Sequence, residues 1–372
     1  MGKKRKRKDS YELKKRRKRR IALVRVFLVL ALVSGTVFGL VQINKSIEVP
    51  LVVNADNYYC IASEQETSEA LEETEEYIPA DVQIQKPVVV QPKLRREYPI
   101  ETVLRSEYAI VYDVQADEVL FAKNADQKCY PASTTKILTS AVILDNVDGD
   151  FTFTAGDELD FVNPESSLAY IEKGNVLDLE TTLNAIMLPS GNDASYMAAA
   201  NVGRKISGSD IISPEKAVET FVDEMNRTAK RIGAENTHFS DPDGFHDDNH
   251  YTTVLDMLKI TLYARQKPLI AASAAKPSVY AVFESGEEIS WINSNKLIHE
   301  DSGCYYMYAN GFKTGMTDQS GYCVVATARR FDHDVICIVF GAPASDIRWN
   351  ETISLLDSAF AEIKSRGEVQ DG

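Results

Sequence analysis

Three short stretches carry residue types able to act on an acyl group. Ser133 stands three residues before Lys136, at the head of the apolar run ILTSAVIL; Ser190 and Asn192 lie in LPSGNDAS; and Lys313, Thr314 and Gly315 follow one another as K-T-G. A serine hydroxyl becomes a nucleophile when a base takes its proton, and a lysine at i, i+3 on a helix shares the serine's face. Lys136 can serve only as the neutral amine, so its pKa must fall from about 10.4 toward about 7, a cost of roughly 4 kcal/mol. Burial and a nearby second cation, for which Lys313 is the candidate, both push that way. At a helix N-terminus the peptide N–H groups can also hold developing negative charge. Thr314 can hydrogen-bond a substrate carboxylate, and Gly315 would let a substrate backbone come close.

Each stretch has a plainer reading. The chain holds three S-x-x-K patterns: Ser133 to Lys136, Ser213 to Lys216 and Ser273 to Lys276. Ser213 is better read as a helix cap before Pro214, and Pro277 drives Lys276 out of helical conformation. Asn192 or Asp193 could be an N-cap, and an isolated K-T-G could be a turn after an edge strand. The order S-x-x-K, S-G-N, K-T-G, each on a suitable element, favours the chemistry.

The elements that must position these residues read as an α+β domain. EYAIVYD and EVLFAK form a hairpin, and a helix runs from about Ser133 to Leu144. Helical periodicity follows in Leu179–Leu188, Asp193–Val202, Pro214–Ile232 and Val254–Ala264. NGFKTG, GYCVVATAR and DVICIVFGA read as strands, and a last helix spans about Ser345–Lys364. Strands at both ends around a helical middle imply one antiparallel sheet, closed late, flanked by helices and carrying an inserted helical lobe. The active site is expected between the lobes.

The first hundred residues are of another kind. Residues 1–25 hold 14 Lys or Arg against Asp9 and Glu12, leaving 27 basic and 53 acidic side chains for the rest. Such an acidic body repels nucleic acid. Residues 21–43, IALVRVFLVLALVSGTVFGLVQI, are long enough as a helix to cross the roughly 30 Å hydrocarbon core. Basic residues flank only the N-terminal side, which places residues 1–20 in the cytoplasm and the remainder outside: an uncleaved, single-pass signal anchor in the cell membrane. Residues 44–96, with an acidic cluster and the QIQKPVVVQPK stretch, read as an extracytoplasmic stalk; 97–365 form the folded domain and 366–372 a tail.

Five scattered cysteines show neither C-x-x-C nor zinc spacing, so no disulfide framework and no metal are expected, with one bridge, Cys129 to Cys304, left open. His246 and His250 lie in an Asp-, Asn- and Gly-rich loop without a third ligand.

Beyond the three motifs, PASTTKILT, LPSGNDAS, GAENTHF, DPDGFHDDNHYTT, Asn293 with Asn295, and GFKTGMTDQSGYCVVATA occur in one order. Over roughly residues 97–362 the chain resembles the D-alanyl-D-alanine carboxypeptidases, the low-molecular-mass penicillin-binding proteins. The resemblance implies a β-lactamase/transpeptidase-like fold and a serine acyl-enzyme that removes the terminal D-alanine of peptidoglycan stem peptides and is acylated by β-lactams, without a cofactor. It implies that Ser133 is acylated, Lys136 is its base and Ser190 relays the proton to the leaving amine. Asn192 would bind the substrate amide, Lys313 would act electrostatically, and Thr314 would meet the terminal carboxylate. The N–H groups of Ser133 and Met316 would form the oxyanion hole. The chain ends soon after its last helix, so anchoring is expected at the N-terminus rather than in the C-terminal β-domain and amphipathic helix of many relatives. Ala271–Ile289 lacks a clear match. Two other readings use the same motifs: a β-lactamase, for which no E-x-x-L-N deacylating element is evident, and a non-catalytic penicillin-binding scaffold or cell-wall sensor.

Overall fold

The computed structural model describes residues 91–367. The expected basic tail, membrane span, residues 44–90 of the stalk and residues 368–372 lie outside the described residues. No helix among the described residues is long and apolar enough to cross a membrane.

In chain order the elements are β1 (Tyr108–Asp113), β2 (Glu118–Lys123), a 3-10 turn (Ala132–Thr135) running into α1 (Lys136–Asn146), and the short strands β3 (Phe153–Thr154) and β4 (Val176–Leu177). Then come α2 (Leu179–Met187), α3 (Asn192–Ser207), α4 (Pro214–Arg231), α5 (Val254–Ala264) and α6 (Pro268–Ala275). A hairpin of β5 (Ser278–Val282) and β6 (Glu288–Ile292) precedes β7 (Ala309–Thr317), β8 (Gly321–Arg330), β9 (His333–Ala342) and α7 (Ser345–Ser365).

The main sheet has the order β2-β1-β9-β8-β7 and is antiparallel throughout, so the K-T-G strand β7 forms one edge. Both faces of the sheet are covered. On β9, Val335, Cys337 and Val339 pack beneath α7, whose Trp349, Leu356 and Phe360 are buried there. The alternate residues Ile336, Ile338 and Phe340 pack with the helical lobe. Burial on both sides explains why these strands read as nearly continuous apolar runs. The S-x-x-K helix α1 lies inside the lobe, with Ile137, Leu138, Ala141 and Val142 fully buried.

Local signals place the helices. Ser213 caps α4 by accepting from the Lys216 N–H at 3.3 Å, with Pro214 next. This S-x-x-K is therefore a cap. Lys276 lies just past α6 in extended conformation and pairs with Glu180. Where α3 meets α4, a Cβ on Gly203 would sit 1.9 Å from the Ala217 carbonyl oxygen. Gly203→Ala is expected to separate the two helices and cost about 1–3 kcal/mol, visible as a lowered midpoint in thermal melting.

Two features go beyond the sequence expectation, and the cysteines resolve a point it left open. Folded contacts begin before residue 97: the Gln91 side chain donates to the Ile232 carbonyl at 3.3 Å, and Pro92 is buried. Helix α6 and the β5–β6 hairpin fill the stretch that lacked a family match. Burial alternates along the hairpin, with Ala281 and Trp291 facing inward, but the outward Tyr280, Val282 and Ile292 are apolar too, so the sequence lacks the apolar-polar alternation of a half-buried strand. Cys129, Cys304, Cys323 and Cys337 are free thiols, so the bridge left open between the first two does not form.

Candidate active site

The turn that carries Ser133 is built by close packing. Ala132 has φ +49°, a conformation that non-glycine residues adopt only when their surroundings enforce it. The enforcement comes from the 241–250 loop: a Cβ on Gly244 would lie 1.9 Å from the Ala132 carbonyl oxygen and 2.8 Å from Thr135 Oγ1. Thr139 Oγ1, one turn along α1, donates to the Pro242 carbonyl at 2.7 Å. Pro131, Ala132, Thr134, Thr135 and Lys136 are buried, while Ser133 is only half-buried.

Lys136 has no exposed surface. Its Nζ lies 3.0 Å from Ser133 Oγ, 2.8 Å from Asn192 Oδ1 and 2.7 Å from the Asp243 carbonyl oxygen. Burial pushes its pKa down to about 8, against Asp243, Asp241 and Asp193, which act to raise it. As the neutral amine, Lys136 can donate to Asn192 and Asp243 and turn its lone pair toward the Ser133 hydroxyl.

Asn192 and the Asp193 that follows it make different contacts, and neither side chain caps α3. Asn192 reaches Lys136. The carboxylate of Asp193 accepts from the Ala169 N–H at 2.8 Å and the Ile171 N–H at 2.9 Å, fixing Tyr170 between them at φ +62°. From the other side, Trp291 Nε1 donates to the Ala169 carbonyl at 3.0 Å. Ser190 itself has φ +65°, is buried, and its Oγ has no hydrogen-bond partner among the described residues.

Lys313 is also buried, and among the described residues its Nζ donates only to the Thr314 carbonyl, at 3.2 Å. No carboxylate among the described residues pairs with it. Burial first, then Lys136 and Arg348, hold it well below the usual lysine range. Burial leads the depression of both lysines, and the mutual repulsion of their charges acts in the same direction. Gly315 corrects one expectation. A Cβ there would meet Ala132 Cβ and the Ser133 amide nitrogen at 3.0 Å and the Pro131 carbonyl at 3.1 Å. The space left by the missing side chain is taken by the Ser133 turn itself, which brings the β7 edge against Ser133. Met316, the next residue, is half exposed.

Four contributors escaped the sequence reading. Ser294, between the two asparagines noted in sequence, has its Oγ 2.6 Å from Thr314 Oγ1. Asn293 and Asn295 are structural: Asn293 donates to the Ala274 and Lys276 carbonyls, and Asn295 accepts from the Leu297 N–H. Arg348, buried at the start of α7, donates to the Gly315 carbonyl at 3.3 Å and the Cys323 carbonyl at 3.1 Å. Its guanidinium lies 4.1 Å from the Trp349 ring, so a delocalised cation sits under the K-T-G strand. Asp241 and His250 complete the set behind Lys136. In sequence they belonged to a polar loop, and only the density of Asp, Asn and Gly hinted at its hydrogen-bonded turns.

The arrangement thus joins a half-buried hydroxyl to a buried amine of lowered pKa. Beside them stand a serine and a lysine with unspent hydrogen-bonding capacity, at the open edge of a sheet. That is the equipment of acyl transfer through a serine ester. A family model described as D-alanyl-D-alanine carboxypeptidase matches residues 96–344. The chain is similar to the D-alanyl-D-alanine carboxypeptidase DacF of Bacillus subtilis, 28% identical over 269 residues, which are 71% of this chain and 64% of that protein. It is also similar to a D-alanyl-D-alanine carboxypeptidase of Streptomyces sp. (strain K15), 30% identical over 252 residues, 65% of this chain and 82% of that protein. The crystal structure of the Streptomyces K15 DD-transpeptidase aligns with a TM-score of 0.64 at 26% identity, covering 70% of this chain and 99% of that one.

Proposed function

Because the chain belongs to the D-alanyl-D-alanine carboxypeptidase family, we propose that it is a serine peptidase that removes the terminal D-alanine from peptidoglycan stem peptides and is acylated by β-lactams. The observation that carries the reading is the Lys136 amine, fully buried and 3.0 Å from the hydroxyl of Ser133. In the first step Ser133 Oγ attacks the carbonyl of the penultimate D-alanine while its proton passes to Lys136 Nζ. The oxyanion is held by the Ser133 and Met316 N–H groups, at the turn that Gly315 brings against β7. Ser190 delivers the proton to the departing amine, and Asn192 holds Lys136 and the substrate amide in line. The substrate's terminal carboxylate approaches Thr314 and supplies the counter-charge that Lys313 lacks in the protein, with Arg348 behind them. The C–N bond breaks and D-alanine leaves as the Ser133 ester forms; water then attacks the ester, which releases the shortened peptide and restores the Ser133 hydroxyl. Incubation with a pentapeptide ending in D-Ala-D-Ala should release D-alanine, detected by mass spectrometry. A folded protein that releases none would refute hydrolysis as its activity.

Neutral Lys136 is the active form, which fixes the sign of the pH dependence. Below its pKa of about 8 the neutral fraction, and with it the acylation rate, is expected to fall about tenfold per pH unit, and above it to level off. Stopped-flow acylation by a chromogenic cephalosporin measures this; a rate that is flat from pH 5 to 9 would remove Lys136 as the base.

Residues 21–43 serve in this reading as the membrane anchor, supported by their 23-residue apolar length and the basic residues on one side only. The catalytic domain then works outside the cell membrane at the end of the stalk. Alkaline extraction should leave the full chain with the membrane; release into the soluble fraction would argue against the anchor.

A further inference from the structure

Behind Lys136 a closed circuit of polar contacts ties the turn that carries Ser133 to the 241–250 loop. Thr135, the residue before Lys136, has its Oγ1 2.8 Å from His250 Nε2. His250 is buried, and its Nδ1 lies 3.0 Å from Asp241 Oδ2. The other oxygen of Asp241 accepts from the Asp243 N–H at 3.0 Å and the Gly244 N–H at 2.6 Å. The circuit closes at the Asp243 carbonyl, which accepts from Lys136 Nζ at 2.7 Å. The Ser240 N–H also reaches His250 Nδ1, at 3.3 Å, so the ring is held from three sides.

We propose that Asp241 and His250 are a positioning pair for the acyl-transfer reaction: they hold the Asp243 carbonyl on Lys136, and the Asp241 charge sets how readily Lys136 gives up its proton. The inference rests on the proposed role of Lys136 as base. Two geometric facts support it. The amides capped by Asp241 flank the carbonyl that touches Lys136, and the imidazole that holds Asp241 is bonded to the turn carrying Ser133. The loop and the turn therefore move together.

The charges around Lys136 are few. Asp241 and Asp243 face it from the loop, Asp193 from α3, and Lys313 from β7. Of the two loop carboxyls, Asp241 keeps the charge. Burial works to raise it, but His250 and the Asp243 and Gly244 contacts outweigh burial and hold it below the usual carboxylate range. Burial, then the Asp241 charge, drives Asp243 up. Tyr196 on α3 faces the same pair and is pushed up by its burial and by both carboxyls, so it stays neutral. Asp241 is thus the buried anion of the loop that steadies the Lys136 ammonium against its own burial, as Asp193 does from α3.

Asp241→Asn tests this in the full chain, because the amide oxygen can still accept from the two N–H groups while the charge is lost. Acylation by a chromogenic cephalosporin is measured across pH. The acid limb of the profile is expected to move about one unit toward lower pH, and the plateau rate to fall as the amine becomes a weaker base. Thr135→Val cuts the link to His250 but leaves the charge, so its acid limb should stay at the wild-type position while its plateau falls. If Asn is not accommodated, Asp241→Ser, a smaller uncharged acceptor, should give the same shift. An unmoved acid limb in folded Asp241 variants overturns the proposal, and so does an equal shift in Thr135→Val, which would reflect general loosening. Failure of wild type to acylate at all would instead refute the underlying function.

Discussion

Lys136→Met is expected to slow acylation of Ser133 by β-lactam about 10³-fold, within the range of about 10² to 10⁴ for losing a positioned general base. Methionine keeps much of the volume that a fully buried lysine fills. The reaction loses the amine that takes the Ser133 proton, and Asn192 Oδ1 and the Asp243 carbonyl lose their donor. The pH profile provides the sharper readout. Without the group whose pKa lies at about 8, the residual rate should no longer bend near that pH. A variant that keeps the bend at a reduced rate would mean that another group titrates and that Lys136 acts only by packing.

Lys313→Met should divide stability from activity. Lys313 is buried with no carboxylate partner among the described residues, and burial and Lys136 both disfavour its charge. Replacing such a group by an apolar one of similar length relieves an uncompensated desolvation, so the thermal midpoint is expected to rise. Hydrolysis of a peptide with a free terminal carboxylate should nevertheless fall about 10² to 10³-fold, the scale of losing a preorganised electrostatic contact. An amidated peptide, already without the carboxylate, should lose far less. Equal losses on both substrates would show that Lys313 acts on the nucleophile rather than on the carboxylate. The comparison is direct because the same variant is read by melting and by two substrates. A site that keeps a buried lysine with no carboxylate partner among the described residues, at the expense of stability, is a familiar mark of function.

The parts of this site that were legible in sequence are those where a local pattern and a chemical role coincide. Ser133 and Lys136 share a helical face, and Ser190 and Asn192 sit where a turn enters a helix; the K-T-G residues lie on the expected strand, which runs on to Thr317 rather than ending at Gly315. The decoy serines were legible for the same reason, since Pro214 and Pro277 dictate local backbone. What stayed hidden depends on long-range packing. Gly315 looked like room for substrate, yet it is room for the Ser133 turn, because β7 and that turn meet only in the folded chain. Arg348 lies far along the sequence in an ordinary amphipathic helix, and its burial under β7 follows from sheet order alone. Asp241 and His250 carry no spacing signature, since the hydrogen bonds that give them meaning run through backbone amides. The β5–β6 hairpin was missed because its outward Tyr280, Val282 and Ile292 are apolar too, which hides the alternation.

Covalent labelling of the full chain by a fluorescent penicillin tests the central claim most directly. The account predicts a single label on the tryptic peptide containing Ser133, found by mass spectrometry, and none on a folded Ser133→Ala variant. A folded wild-type protein that takes no label, or a Ser133→Ala variant that still takes it, would contradict an acyl-enzyme at Ser133.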